Sequence, residues 1–260
     1  MKSFFIASFL SLLSSAAFAK TTDTIQVTQK DIDTKALQIG SYSYILYNKQ
    51  TKESPAQRIV LVKINVKAED YHNRPAFIIT QEWDLDTVVH AAYSIFDAKD
   101  FSTIIHNTWW KRLGYAINFD FEAKTVNFEG KGIKGGIPDS VKTNAIRDFN
   151  QSFDSYNLNW HADLLVYQLL PYKDGRTFVI NYFDPGFGKA EKVAYSVTGS
   201  DILINNDGQK IDCWVLSHSD PGNIVERYWI SKKTKEVLKE EDSSPRGYRY
   251  KIKIGLADDK

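Results

Sequence analysis

Alternation of apolar and polar residues dominates this chain and predicts a structure built mainly of β-strands. In the clearest stretch, 113–128, every second residue is apolar, with one turn in between: Tyr115, Ile117, Phe119, Phe121, Val126 and Phe128. A period of two with polar partners predicts a sheet with one buried and one wet face. The same pattern, separated by polar turns, marks five earlier strands: Tyr42–Tyr47, Arg58–Val66, Ala76–Trp83, Val88–Phe96 and Ser102–Trp110.

The C-terminal half repeats the alternation. Strands are predicted around Phe178–Tyr182, Val193–Val197, Ile211–Val215, Ile224–Ile230, Glu236–Glu241 and Tyr248–Ile254. Their connections are rich in Gly, Pro, Asn, Asp and Lys, which is typical of hairpins in an antiparallel meander. In the last strand, Tyr248 and Tyr250 fall on one face and Arg249 and Lys251 on the other.

Between the two halves the period changes, which predicts a helical insert at about 139–170. One helix begins after Pro138 and carries apolar residues at helical spacing. A second runs from Asn159 to Leu170, is apolar around most of its circumference and ends at Pro171. A helix of that kind is expected to be buried. The predicted fold class is therefore mainly β (α+β): a long curved antiparallel sheet, or half-barrel, wrapped around one or two central helices.

The first nineteen residues have the features of a signal peptide. Lys2 is followed by an apolar stretch, and Ala17-Phe18-Ala19 matches the small-residue pattern after which signal peptidase cleaves. The apolar stretch is shorter than the roughly 20 residues of a membrane span. We therefore expect cleavage after Ala19, an exported protein in the periplasm or secreted, and no transmembrane segment in the mature chain. Residues 20–260 are predicted to form one domain, because no Pro/Ser/Gly-rich linker divides them, and the polar stretch from Lys20 to about Ala36 is expected to be a lead-in.

Composition and charge narrow the classes of partner. Hydrophobic residues make up 43% of the chain, enough for a substantial core, and the formal charge is +1. Basic and acidic residues are interspersed, so no nucleic-acid partner is expected. A single cysteine excludes a disulfide framework and any site of several thiolates. Cys213 occupies an apolar position of a strand and is expected to be a buried thiol.

The histidines and serines show no assembled catalytic or metal-binding motif. No pair among His72, His90, His106, His161 and His218 has the spacing of a metal-binding helix face. His90 and His106 could converge on a cavity with His161, although hydrogen-bonded or exposed histidines of a sheet are the simpler interpretation. No Gly-x-Ser-x-Gly motif is present. We therefore assign no catalytic residue, no metal and no cofactor.

Two further patterns have simple structural interpretations. Gly130, Gly132 and Gly135 match Gly-x-Gly-x-x-Gly, but no helix begins directly behind them, so a flexible linker is favoured over a phosphate-binding loop. Glu82, Asp84 and Asp86 share a strand face. They could form a glycosidase-like or calcium-binding cluster, but a solvated strand edge explains them with fewer assumptions.

The last ninety or so residues resemble a known family. The resemblance rests on the order of the following segments: Asp163-Leu164-Leu165, Leu170–Phe178, Val197-Thr198-Gly199, Gly208–Asp212, Tyr228–Ser231 and Glu236–Lys239. This order is similar to that of an uncharacterised family of exported bacterial proteins within the half-barrel superfamily of the lipoprotein-localisation factors (LolA/LolB-like). The resemblance implies an antiparallel half-barrel plugged by helices, a hydrophobic cavity and, in the best-known members, carriage of acylated lipoproteins.

The aromatic content, 13% of the chain, suits either a filled core or a cavity for a hydrophobic ligand. If a cavity exists, we expect its wall or its plug to include Trp160, Leu164, Leu165, Tyr167, Trp214, Tyr228 and Tyr250. The favoured function is non-enzymatic binding or carriage of an apolar small molecule or acyl chain. The first alternative is an interaction scaffold for another envelope protein. The second is a hydrolase of envelope glycan that uses Glu82, Asp84 or Asp86 with a histidine.

Overall fold

The computed structural model describes residues 23–255, which form one continuous curved sheet; the predicted signal peptide lies outside these residues. The first half of the chain supplies β1 (Asp23–Gln26), β2 (Gly40–Lys49), β3 (Gln57–Tyr71), β4 (Arg74–Leu85), β5 (Thr87–Asp97), β6 (Thr103–Trp110), β7 (Tyr115–Asp120) and β8 (Thr125–Gly130). The second half supplies β9 (Leu158–Asn159), β10 (Arg176–Phe183), β11 (Glu191–Ile204), β12 (Lys210–Ser219), β13 (Val225–Ser231), β14 (Val237–Ser244) and β15 (Gly247–Lys253). The predicted fold class is confirmed: the sheet is curved, mostly antiparallel and not closed.

The strand order places the C-terminal strand inside the sheet. From one edge the order is β1, then β10 to β15 in sequence, then β2 to β8 at the other edge. Strand β15 pairs with β14 on one side and with β2 on the other, so it joins the two halves of the molecule. Among the strands within residues 23–255, only β1 and β9 run parallel to their partner, and both lie against β10.

Strand β1 lies in the segment predicted to be a lead-in. Its four residues are too few to show an alternation in the sequence. Backbone hydrogen bonds to β10 hold β1 at the edge of the sheet. The Asp23 carboxylate adds a second link, since it accepts from the Arg176 guanidinium at 2.8 Å and lies 3.1 Å from the Lys173 ammonium. These cations hold the pKa of Asp23 below its usual value.

Helix α1 (Asp139–Gln151) covers one end of the sheet rather than its centre. Phe149 is fully buried and its ring lies 5.4 Å from that of Phe119 on β7 and 4.9 Å from that of Phe121. These rings, with Phe183 of β10, form an aromatic cluster that is separate from the main core. The helix therefore closes the β7–β8 edge.

Residues 158–170 fill the concave centre of the sheet and are called the plug below. The sequence predicted one helix here, but the structure has a 3-10 turn at Trp160–Ala162, helix α2 at Asp163–Val166 and a second 3-10 turn at Tyr167–Leu169. The predicted burial is correct, since Leu164, Leu165 and Tyr167 are at most 2% exposed. The consecutive residues 164–167 are all buried, so tertiary packing on several sides sets the backbone more than helical periodicity does.

The aromatic face of β15 lies on the convex side of the sheet and its basic face on the concave side, which is unusual for a sheet with a buried concave face. Tyr250 lies on the convex side and stacks on Tyr47 at 5.1 Å. The basic face points into the concave side, where Lys251 stands opposite Leu46 and is 5% exposed. A charged row therefore lines the interior. Within residues 23–255, no helix is long and apolar enough to cross a membrane.

Candidate functional site

A small polar cavity lies between the plug and strands β4 to β6; we call it the inner cavity. Its volume is about 180 Å³. Aromatic and amide side chains form much of its wall: Gln81, Trp83, His90, Trp110, Trp160 and His161. Charged groups complete it, namely Arg112, Asp163, Asp184, Arg249 and Lys251. Several hydrogen-bonding atoms around it are buried and have no partner in the described part of the chain, including Nε1 of Trp83, Nε1 of Trp110 and Nε2 of His90.

A larger and more apolar cleft adjoins the inner cavity; we call it the outer cleft. Its volume is about 730 Å³. The apolar part of its wall comes from Leu46, Val60, Leu85, Val89 and Ile133. Trp83, Trp110, Arg112 and Arg249 line both spaces, so the cleft and the cavity share a boundary. Pockets of a few hundred Å³ with apolar walls and a few polar groups are typical of small-molecule sites.

Three histidines meet beside the inner cavity. Their convergence was one of the two interpretations that the sequence left open. The ring centre of His161, from the plug, lies 5.3 Å from that of His90 and 4.8 Å from that of His106. Nδ1 of His161 is 3.2 Å from a carboxylate oxygen of Asp184. Even so, within residues 23–255 no group of three or more His, Cys, Asp or Glu side chains is arranged to hold a metal ion.

The environment keeps two of these histidines neutral. Nδ1 of His90 lies 2.9 Å from the Trp109 carbonyl oxygen, which can only accept, so Nδ1 carries the proton and Nε2 keeps a lone pair. Burial, followed by the nearby His161 and Arg112, lowers the pKa of His90 to about 3. Burial likewise sets the pKa of His106 well below its usual value, and its Nδ1 is bonded to the Ser94 hydroxyl at 2.8 Å.

An ionic cluster forms the side of the inner cavity that faces β14 and β15. The Glu240 carboxylate accepts from the Lys251 ammonium at 2.6 Å and from the Arg249 guanidinium at 2.7 Å. Arg249 also donates to Asp242 at 2.6 Å. Burial alone would raise the pKa of Glu240, but the two cations outweigh it and hold that pKa below its usual value. Burial and the charge of Glu240 raise the pKa of Asp242 to about 7.

The glycine-rich segment is a docked loop that shapes the outer cleft. The amides of Gly132 and Ile133 donate to the carbonyl oxygens of Gly114 and Leu113, in the turn between β6 and β7. Gly114 has φ +73°, and a Cβ atom there would lie 2.9 Å from the Gly132 carbonyl carbon. The loop thus lies directly on the turn and brings Ile133 to the rim of the cleft. The sequence had predicted a flexible linker for this segment.

The seven residues expected at a cavity or plug lie in different places. Trp160 lines the inner cavity. Leu164, Leu165, Tyr167 and Tyr228 are enclosed in the core, at most 2% exposed. Trp214 lies parallel to Tyr172 beneath the Lys232 ammonium, and Tyr250 is on the convex face. Sequence reasoning did not select the other wall residues, notably Trp83, Trp110, Arg112 and Arg249. The available signal was the alternation that places Trp83 and His90 on the inward positions of β4 and β5, where they pair in register.

The acidic cluster considered for a hydrolase does not meet the histidines. Glu82 is exposed opposite Lys63, and Asp84 forms a 3.4 Å ion pair with the same lysine on the convex face. Asp86 is exposed in a turn. Cys213 is buried, as expected.

The pattern of the chain matches one family model from residue 47 to residue 253, which spans almost the whole sheet. The chain belongs to the DUF3108 family. That family is described as proteins of unknown function. No curated protein matches the chain.

Two solved structures resemble the fold at a distance. A β-barrel-like protein of the DUF1849 domain from Brucella abortus is 7% identical, with a TM-score of 0.35 over 84% of this chain and 97% of that one. A protein with a YmcC-like fold from Bacteroides fragilis NCTC 9343 is 10% identical, with a TM-score of 0.25 over 84% of this chain and 95% of that one.

Proposed function

We propose that this protein is an exported, non-enzymatic binding protein that holds a hydrophobic, lipid-like molecule in the outer cleft. The observation that carries the proposal is the cleft itself: about 730 Å³ with an apolar wall, open beside a polar cavity. An acyl chain would remove that wall from water, which stabilises a complex by about 25 cal/mol for each Å² buried. The sequence resemblance to lipoprotein-localisation factors is consistent with this role.

The site proposed here lies beside the plug and not underneath it. The plug residues Leu164, Leu165 and Tyr167 are already packed against the sheet. A ligand in the outer cleft therefore needs no displacement of the plug, which contributes Trp160 to the wall of the adjoining inner cavity. Displacing the plug would expose a second apolar surface, but at the cost of the main core.

Native mass spectrometry of protein purified from the exported fraction tests the proposal directly. The intact mass should correspond to a chain that begins at Lys20, and a bound molecule should extract into organic solvent as a lipid. A clean apo mass, with no adduct after addition of fatty acids or lysophospholipids, would contradict the proposal and favour the alternative of a protein-interaction scaffold.

The substitution Leu85→Asp places a charge on the apolar wall and is expected to lower acyl-chain affinity by about tenfold or more, because burying an unpaired carboxylate is costly. Ile59→Asp is the matched control, since Ile59 lies in β3 and is 58% exposed. Titration calorimetry with a lysophospholipid below its micelle concentration measures both. Equal losses in the two variants would place the ligand somewhere other than the outer cleft.

A further inference from the structure

We infer that the ligand is an anionic amphiphile and that Arg112, at the boundary between the outer cleft and the inner cavity, binds its acidic group. This inference rests on the proposed function and specifies the class of ligand. The acidic group is a carboxylate or a phosphate, since both present the oxygen pair that a guanidinium recognises.

The charged side chains that line the outer cleft are cationic. Arg58, Lys111, Arg112 and Arg249 line it together with the apolar wall, and among residues 23–255 no Asp or Glu is part of that lining. The combination of an apolar wall with cations alone matches a molecule that has an acyl chain and a negative charge. A neutral lipid would cover these cations without offering them an anionic partner.

Within residues 23–255, two of these cations have a hydrogen-bonding or ion-pair partner, and the other two have none. Arg249 is bound to Glu240 and Asp242, and the Lys111 ammonium donates to the Thr87 hydroxyl at 2.7 Å. In the described part of the chain, no carboxylate lies within ion-pair distance of Arg112 or Arg58. Arg112 instead lies over the Trp110 ring, with its guanidinium carbon 4.9 Å from the ring centre. A cation–π contact of this kind holds the guanidinium near the indole and uses none of its N–H groups, which can still donate.

The neighbours of Arg112 supply a second, independent indication of an oxygen-bearing ligand. The indole N–H groups of Trp83 and Trp110 are buried and have no acceptor among residues 23–255. Buried donors in folded proteins are almost always paired, so unpaired donors at one boundary point to an acceptor from outside the chain. His90, 0% exposed, stacks on Trp110 at 3.8 Å and keeps the indole in place.

Binding of matched amphiphiles to the purified full mature chain tests this inference. The probes share a palmitoyl chain: palmitate, lysophosphatidylglycerol and uncharged monopalmitoylglycerol, each below its micelle concentration, measured by calorimetry and native mass spectrometry. The two acidic probes should bind about tenfold more tightly than the neutral one, as expected for charged hydrogen bonds. A preference for palmitate identifies a fatty acid, and a preference for lysophosphatidylglycerol identifies a phospholipid.

The variant Arg112→Gln should bring the ratio of acidic to neutral affinity close to one, and Arg112→Lys should keep part of it because the charge remains. Lys67→Gln is the control, since Lys67 is an exposed cation of β3 that pairs with Glu69. Equal affinity of the unaltered protein for acidic and neutral probes would overturn the inference and leave the proposed function standing. If no probe binds, the proposed function fails, and the inference fails with it.

Discussion

Buried charge is the most unusual feature of this molecule at the scale of single residues. Glu240 and Lys251 are 1% and 5% exposed, in positions where a β half-barrel would normally carry apolar side chains. Pairing and hydrogen bonding largely offset the free-energy cost of burying these charges, so the cluster adds little to the free energy of unfolding. Its larger effect is to specify a single packing of the side chains around it. Here the cluster gives the inner cavity a polar side, which an apolar core would not provide.

The histidines beside the cavity make stability depend on pH. In the unfolded chain His90 takes up a proton near its usual pKa of 6.5, but in the folded protein its pKa is about 3. Between these values the unfolded state binds more protons, so the free energy of unfolding falls as the pH drops from about 6.5 toward about 3. His106 acts in the same direction.

The variant His90→Phe removes one of these two groups and should therefore lose less stability between pH 7 and pH 5 than the unaltered protein does. Urea denaturation at the two pH values measures the difference. The absolute stability of the variant will also be lower, because the bond to the Trp109 carbonyl is lost, so the change with pH is the readout. Ile59→Phe adds the same ring at an exposed position of β3 that has no titratable side chain, and serves as the control. An unchanged slope in the His90 variant would show that this side chain is not protonated on unfolding.

At the scale of elements, the docked loop 131–136 is the part of the site with the least tolerance for change. Gly114→Ala would introduce a Cβ atom at 2.9 Å from two backbone atoms of the loop and a side chain at φ +73°. We expect a loss of about 1–3 kcal/mol in the free energy of unfolding. We also expect weaker acyl-chain binding, because Ile133 would move away from the outer cleft.

Thermal denaturation and calorimetry of Gly114→Ala measure these two effects. Gly188→Ala is the matched control, because a Cβ atom there meets nothing within 4 Å. A Gly114 variant with unchanged stability and affinity would mean that the loop can shift without cost.

The elements differ in how far sequence could predict them. The alternation over 113–128 predicted the β7–β8 hairpin with strand ends about two residues from those observed, because one face is buried and the other wet. Strand β1 has four residues, and its place depends on Asp23 meeting Arg176, a contact across more than 150 positions. The plug was expected to be buried but was assigned one continuous helix, because packing from several sides overrides its local periodicity. The site was the hardest part: Trp83, Trp110 and Arg112 look like ordinary core or turn residues until strand pairing brings them together.

At the scale of the whole molecule, the continuity of the sheet depends on β15. This strand supplies the hydrogen bonds to both β14 and β2. A chain that ends after Arg246 would therefore leave two unpaired edges in the middle of the sheet. We expect such a chain to be unfolded or aggregated, while a chain that ends after Gly255 should fold. Circular dichroism and size-exclusion chromatography distinguish these results. A soluble, folded chain without β15 would mean that the two halves are independent.

Because β15 follows all the other described strands along the chain, the two halves of the sheet cannot be joined until it has been synthesised. Until residues 247–253 leave the ribosome, β2 and β14 have no partner on their inner edges, and their closure must bridge some 200 residues of chain. The polypeptide should therefore remain without its final tertiary structure until β15 is available. A chaperone that shields exposed strand edges would then raise the yield, and slowing the ribosome near the codons for residues 247–253 would change that yield more than slowing it earlier.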